Sequence, residues 1–235
     1  MTEHKRVLVI DTATSAVVTG VVELAPDGSA STLAERILDD QRRHAEVLTS
    51  LMRETLAEAG LTGADLDAVI VGCGPGPFTG LRVGMATGTA YADALAIPAY
   101  GVCTLDAIDL AVPEPSAGER LVLTDARRRE VYWAVYRDGR RIEGPGVDAP
   151  DAVAAEFAGR GLTEVVGEGR FTERFAARAA PTVSPTAVSL ARAGAAAVLA
   201  AAPAEPLTPL YLRRPDAVEL KDQKRKSLLP PAEHA

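Results

Sequence analysis

The sequence predicts an α/β fold made of two similar halves, and three observations carry that prediction. An apolar run closed by an aspartate, Val7-Leu-Val-Ile-Asp11, recurs as Leu121-Val-Leu-Thr-Asp125. Each is followed after a short turn by a second β-rich run, Val17-Val-Thr-Gly-Val-Val22 and Val131-Tyr-Trp-Ala-Val-Tyr136. Further on, Ala68–Gly72 finds an echo in Glu164-Val-Val-Gly167, and each precedes a helix-like segment. Strand, acidic turn and antiparallel strand in the same order twice is the pattern of a duplicated, hairpin-led α/β unit.

The elements follow in order. After the first hairpin, the segment from Arg43 to Ala59 places Val47, Leu48, Leu51, Met52, Thr55, Leu56 and Ala59 on one broad apolar face of a helix, and Gly60 suits its C-terminal cap. The strand at Ala68–Val71 runs into a Gly- and Pro-rich corner, and a second helix is predicted from Thr79 to Leu95, stopped before Pro98. This helix carries Gly80, Gly84, Gly88 and Ala92 at a spacing of four. Glycine inside a helix costs about 0.5–1 kcal/mol relative to alanine, so the stripe implies close approach of something to that face. Ile97 to Val102 reads as a short strand, and residues 111–119, with Pro113 and Pro115, read as the linker between halves. In the second half a short helix starts near Asp148–Asp151, and two more are predicted at Phe171–Ala180 and Ser189–Ala202. The expected organisation is an N-terminal half at 1–110, a smaller C-terminal half at 111–215 and a disordered basic tail at 216–235 holding Lys221, Lys224, Arg225 and Lys226.

Composition narrows the function classes. A hydrophobic content of 47% suffices for a core, but aromatics make up only 4%, so packing relies on small residues. The net charge of −7 argues against nonspecific binding of nucleic acid by the whole surface, while leaving open an RNA role inside a complex. Cys73 and Cys103 are the only thiols, which fits a reducing compartment and a cytoplasmic protein. The first apolar run is cut by Asp11 and does not read as a signal peptide, and no stretch reads as a membrane span.

The polar motifs each admit two readings. Asp11-Thr-Ala-Thr14 at a strand end is compatible with phosphate or metal-water binding, or with a plain turn. The Gly74-Pro-Gly-Pro77 corner sits where backbone N–H groups converge on a helix start, with Arg82 as the nearby cation. Yet Pro75 and Pro77 remove donors, and the lysine of a Walker loop is missing, so a rigid corner is an equal reading. The candidate nucleotide or phosphate residues are therefore Asp11, Thr12, Thr14, Gly74, Gly76 and Arg82. Asp125-Ala-Arg-Arg-Arg-Glu130 puts three cations in a turn, as a phosphate contact or a solvated tip. No His/Cys/Asp/Glu group has metal-ligand spacing, and no nucleophile elbow is present.

Taken together, Ile10-Asp-Thr-Ala-Thr14, Arg43-His44 with Leu48 downstream, Gly74-Pro-Gly-Pro-Phe-Thr-Gly-Leu-Arg82, Asp125-Ala-Arg-Arg-Arg-Glu-Val-Tyr132 and Pro209-Leu-Tyr-Leu-Arg213 resemble the bacterial TsaB (YeaZ) family over roughly residues 5–215. The resemblance implies an actin/hexokinase-like (ASKHA) fold of two ribonuclease-H-like halves. It implies an accessory role in threonylcarbamoylation of adenine 37 N6 in ANN-decoding tRNAs. In the catalytic paralogue two histidines four apart bind metal soon after the segment matching Tyr100-Gly-Val102. Here those positions read Thr104 and Ile108, so the resemblance implies a chain with no catalytic residue and no metal ligand of its own.

The partners it implies are the TsaD-type paralogue as a heterodimer, a TsaE-type ATPase in the same complex and tRNA indirectly, with a homodimer when alone. It implies no cofactor beyond ATP or ADP at the complex. The expected partner surface is the helix pair, through His44, Leu48, Leu51, Met52 and Thr55 on one helix and Gly80, Gly84, Met85, Gly88 and Ala92 on the other. Two other functions compete: an ATP-dependent kinase or hydrolase of the same fold class, and a metalloprotease. The missing ligands weigh against the protease. Gly167-Glu-Gly169, which sets a carboxylate where a second-half phosphate loop would sit, weighs against the kinase.

Overall fold

The computed structural model describes residues 4–39, 44–112, 118–181 and 184–213. The tail expected to be disordered and the proline-bearing part of the linker lie outside them. The first half reads β1 (Lys5–Asp11), β2 (Ala16–Leu24), β3 (Ala30–Asp39), α1 (His44–Glu58), β4 (Ala68–Gly72), α2 (Phe78–Leu95), β5 (Ala99–Val102) and α3 (Thr104–Ala111). The second reads β6 (Glu119–Arg127), β7 (Glu130–Arg137), β8 (Arg140–Asp148), α4 (Pro150–Glu156), β9 (Leu162–Val166), α5 (Gly169–Thr172), β10 (Arg178–Ala180) and α6 (Ala187–Leu199).

Duplication is written into the strand order. The first sheet runs β3-β2-β1-β4-β5 and the second, read in the matching direction, β8-β7-β6-β9-β10. In both, an antiparallel three-strand meander is extended by two parallel strands reached through crossovers. The paired echoes in the sequence are thus β1 with β6, β2 with β7 and β4 with β9. Central strands buried on both faces account for the unbroken apolar runs: Val7 through Ile10 and Val69 through Val71 have no exposed surface.

Two strands and one helix differ from the sequence reading. β3 and β8 are mostly polar or Gly/Pro-bearing, without regular alternation, and line one edge of each sheet, so neither gives a strand signal. The helix expected over Phe171–Ala180 is a single turn, α5, which buries Phe171 and Thr172 and is followed by the short strand β10.

The helices do not respect the boundary between halves. α1 and α2 cover the outer face of the first sheet, with Leu48, Met52 and Leu56 against Leu8, Ile10 and Val69. α4 and α5 cover the outer face of the second, through Val153, Phe157 and Phe171. Between the sheets, α6 from the second half packs on the first sheet, where Leu190, Ala191 and Val198 meet Val9, Val18 and Ile70. Reciprocally, α3 from the first half packs Leu105 and Ile108 on Val122, Ala134 and Tyr136 of the second. Each sheet is thus built from one half of the chain, while α3 and α6 each pack on the sheet of the other half. A buried ion network ties this middle layer to the second sheet. Arg120 reaches Asp109 at 2.9 Å and Glu164 at 2.7 Å, and Glu164 also takes Arg178 Nε at 2.9 Å.

Candidate functional site: a closed corner and an open helix groove

β1 delivers Asp11 to the middle of the molecule, where it is fully buried. Its Oδ1 accepts the Ala13 N–H at 2.9 Å and its Oδ2 accepts the Thr104 hydroxyl at 2.6 Å. The Gly74 N–H donates to that same hydroxyl at 3.2 Å, and the Thr104 N–H donates to Gly74 O at 2.7 Å. Burial pushes the Asp11 carboxyl up to about 6, against the two hydrogen bonds that favour its charged form. Gly72 makes the approach possible: a Cβ there would lie 1.7 Å from Asp11 Oδ2.

The neighbouring hydroxyls are also engaged. Thr12 donates to Gly80 O at 2.7 Å, and Thr14 bonds the Ala16 backbone. Gly76 presses on the first turn, where a Cβ would stand 2.2 Å from Ala13 O. From the second half, Tyr132 donates to Gly76 O at 3.4 Å. The structure thus brings Asp11, Thr12, Thr14, Gly74 and Gly76 together, as a mutual interlock of turn and corner. The cavity beside it, bounded by Thr14, Pro77, Asp125 and Glu168, is about 20 Å³, room for roughly one water. Arg82 lies outside it: its guanidinium stacks 3.9 Å over Phe78 and donates to Tyr211 Oη at 3.1 Å, while Phe78 and Tyr211 stack at 5.2 Å.

Most of the residues expected at the partner surface are buried within the chain itself. Gly80, Gly84, Met85, Gly88 and Ala92 face inward. A Cβ on Gly84 would lie 2.3 Å from Thr12 Oγ1, and one on Gly88 would lie 2.5 Å from Val71 Cγ2. The glycine stripe lets α2 settle onto its own sheet. Leu48, Met52 and Thr55 are likewise buried, Leu51 is half-buried, and the His44 side chain lies outside the described residues.

The outward faces of the same helices carry a different feature. Ala86, Ala90 and Ala94 form an exposed ridge on α2, again at a spacing of four, facing Thr49, Arg53 and Ala57 of α1. Between them lies an open groove of about 840 Å³ floored by Met52, Leu56 and Tyr91. The alanine spacing was visible in the sequence, but the glycines beside it gave the louder signal.

Sequence reading also missed that Thr104 partners Asp11, since a threonine has no marked reach from residue 104 to residue 11. Both thiols are raised by burial, Cys73 to about 12 and Cys103 to about 11, which leaves them poor nucleophiles at neutral pH. Among the described residues no helix is long and apolar enough to cross a membrane.

Two ribonuclease-H-like sheets with exchanged inner helices define an actin/hexokinase-like (ASKHA) protein. The family model described as "TsaD: tRNA N6-adenosine threonylcarbamoyltransferase" matches residues 32–218. TsaB of Escherichia coli, named a tRNA threonylcarbamoyladenosine biosynthesis protein, is 30% identical over 69% of this chain and 68% of its own. An uncharacterized protein of Mycobacterium tuberculosis is 52% identical over 91% of this chain and 94% of its own. The solved structure of YeaZ from Pseudomonas aeruginosa superposes with a TM-score of 0.71 at 30% identity, covering 88% of this chain and all of that one. The chain belongs to the TsaB (YeaZ) family, and its role lies in tRNA threonylcarbamoyladenosine biosynthesis.

Proposed function

We propose that this chain is a non-catalytic accessory subunit of a tRNA threonylcarbamoyltransferase, acting on adenine 37 N6 of ANN-decoding tRNAs in the cytoplasm. Its task is to dock on and support the related catalytic subunit. The observation that carries the reading is the apolar groove between α1 and α2, rimmed by Ala86, Ala90 and Ala94. Small exposed side chains at helical spacing let a partner helix approach closely, which raises van der Waals contact and apolar burial together. A related subunit with an equivalent helix pair would complete a four-helix layer. The same patch used twice gives the homodimer of the isolated chain.

Two further observations support a binding rather than a catalytic role. Thr104 spends its hydroxyl on Asp11, and Ile108 sits in the core with no donor atom to offer. The interlocked corner also holds its polar groups in internal bonds. An ATPase subunit would then act on the assembled complex, with ATP or ADP bound there rather than by this chain alone.

The test is reconstitution. The purified chain, the transferase subunit of the same organism and the ATPase subunit are mixed with a tRNA transcript, threonine, bicarbonate, ATP and the enzyme that makes the adenylate. Modification is expected with the full set and absent with this chain as the sole subunit. Robust modification by this chain without the transferase, or full activity with it left out, would overturn the reading.

A further inference from the structure

We infer that the hairpin tip Arg127–Arg129 is a contact surface for the phosphate backbone of RNA, a proposal that rests on the tRNA reading above and names the face of this subunit turned to the nucleic acid. The argument begins with a contrast inside one sheet. The turn joining β7 to β8 is Asp138-Gly139, with φ of 51° and 69°. Asp-Gly is the low-strain choice where both central residues of a two-residue hairpin need positive φ. The turn joining β6 to β7 at the other end of β7 has the same demand, with φ of 53° and 67°, and fills it with Arg128 and Arg129. Arg127 before it also has positive φ, at 64°. L side chains rarely adopt that conformation, and three successive arginines do so here. Strain retained where a cheaper solution is used nearby on the same strand marks a functional site.

The surroundings add charge of the same sign. Arg170 shares the Asp125 carboxylate with Arg127, at 3.2 Å and 3.4 Å. Arg213 reaches Glu130 at 3.2 Å and the Ala126 carbonyl at 3.4 Å. Among these groups the arginines outnumber the carboxylates, on a chain whose net charge is −7. All three tip residues are exposed. The described chain ends at Arg213, bonded to this hairpin, and the sequence beyond it carries Lys221, Lys224, Arg225 and Lys226. A concentrated positive face on an otherwise acidic protein selects an extended polyanion and repels it elsewhere.

The double variant Arg128→Asn/Arg129→Gly separates this role from a structural one. It installs the relaxed turn, so the melting temperature should hold or rise. Binding of an unmodified ANN-decoding tRNA transcript is measured over a salt series, for the full-length chain alone and for its complex with the transferase. The variant is expected to bind about tenfold more weakly at low salt, with the slope of log K against log[salt] shallower by roughly 1.4–1.8, the loss of about two phosphate contacts. Arg128→Lys/Arg129→Lys should keep the wild-type slope. Unchanged affinity and slope in the Asn/Gly variant would overturn the proposal, as would weakened binding of heparin with tRNA binding intact. Neither result touches the accessory-subunit reading, which stands or falls on the reconstitution.

Discussion

The Thr104 hydroxyl lies 2.6 Å from Asp11 Oδ2, joining the end of the first strand to the start of α3. A short O–H···O⁻ bond of this kind is charge-assisted, and it is one of two donors that hold a fully buried carboxylate in place.

The pH dependence of stability should report this carboxylate. Its folded-state value of about 6 lies above the ordinary 3.8, so the folded protein binds the proton more tightly than the unfolded chain. Stability from this group is then present below about pH 4 and is lost as pH rises through 6. Asp11→Asn removes the titration. Relative to wild type, the variant should gain roughly 3 kcal/mol between pH 4 and pH 7, read from urea midpoints. A gap constant over that range would show that Asp11 does not titrate as its burial dictates. Thr104→Val at pH 7.5 should cost about 1.5–3 kcal/mol, the loss of a hydrogen bond to a charged group.

Gly84→Ala separates the inward stripe from the outward ridge. Alanine gains about 1 kcal/mol in helix propensity. Against this, its Cβ would stand 2.3 Å from Thr12 Oγ1, a β-branched side chain anchored to Gly80 O. Overpacking of about 1–3 kcal/mol should win, giving a net fall in melting temperature of a few degrees. Association with the transferase should be unchanged at temperatures where the variant is folded. A fully stable variant that no longer associates would restore the glycine stripe as a partner surface.

Ala90→Arg tests the groove itself. Ala90 is exposed and in mid-helix, so the change should alter monomer stability by less than about 0.5 kcal/mol. A long cation on the ridge should hold a partner helix away and weaken association at least tenfold in sedimentation. Wild-type association would move the interface elsewhere.

Much of the fold was legible because its signals are local. The unbroken apolar runs of the buried strands, the Gly60 cap with φ of 68° and the aspartates that close β1 and sit near the end of β6 are each read within a few residues. β3 and β8 were not, since edge strands half open to water lose the apolar pattern. The facing of α2 was not legible for a physical reason. Glycine announces close approach but not what approaches, and its own Val71 and Thr12 were the neighbours. The site was legible as a set of residues and not as a function. Proximity of Asp11, Gly74 and Thr104 follows from strand register, but whether the polar atoms there turn outward or bond one another is decided only by the packing.

The crossing of α3 and α6 has a consequence for how this chain can be divided. Cut where the repeat ends, the first piece would present Val9, Val18 and Ile70 to water, and the second would expose Val122 and Ala134. Neither piece has a cover of its own for that face. The arrangement is that of a domain-swapped dimer whose two members have been joined head to tail. Such a clasp opposes free hinging of one half against the other.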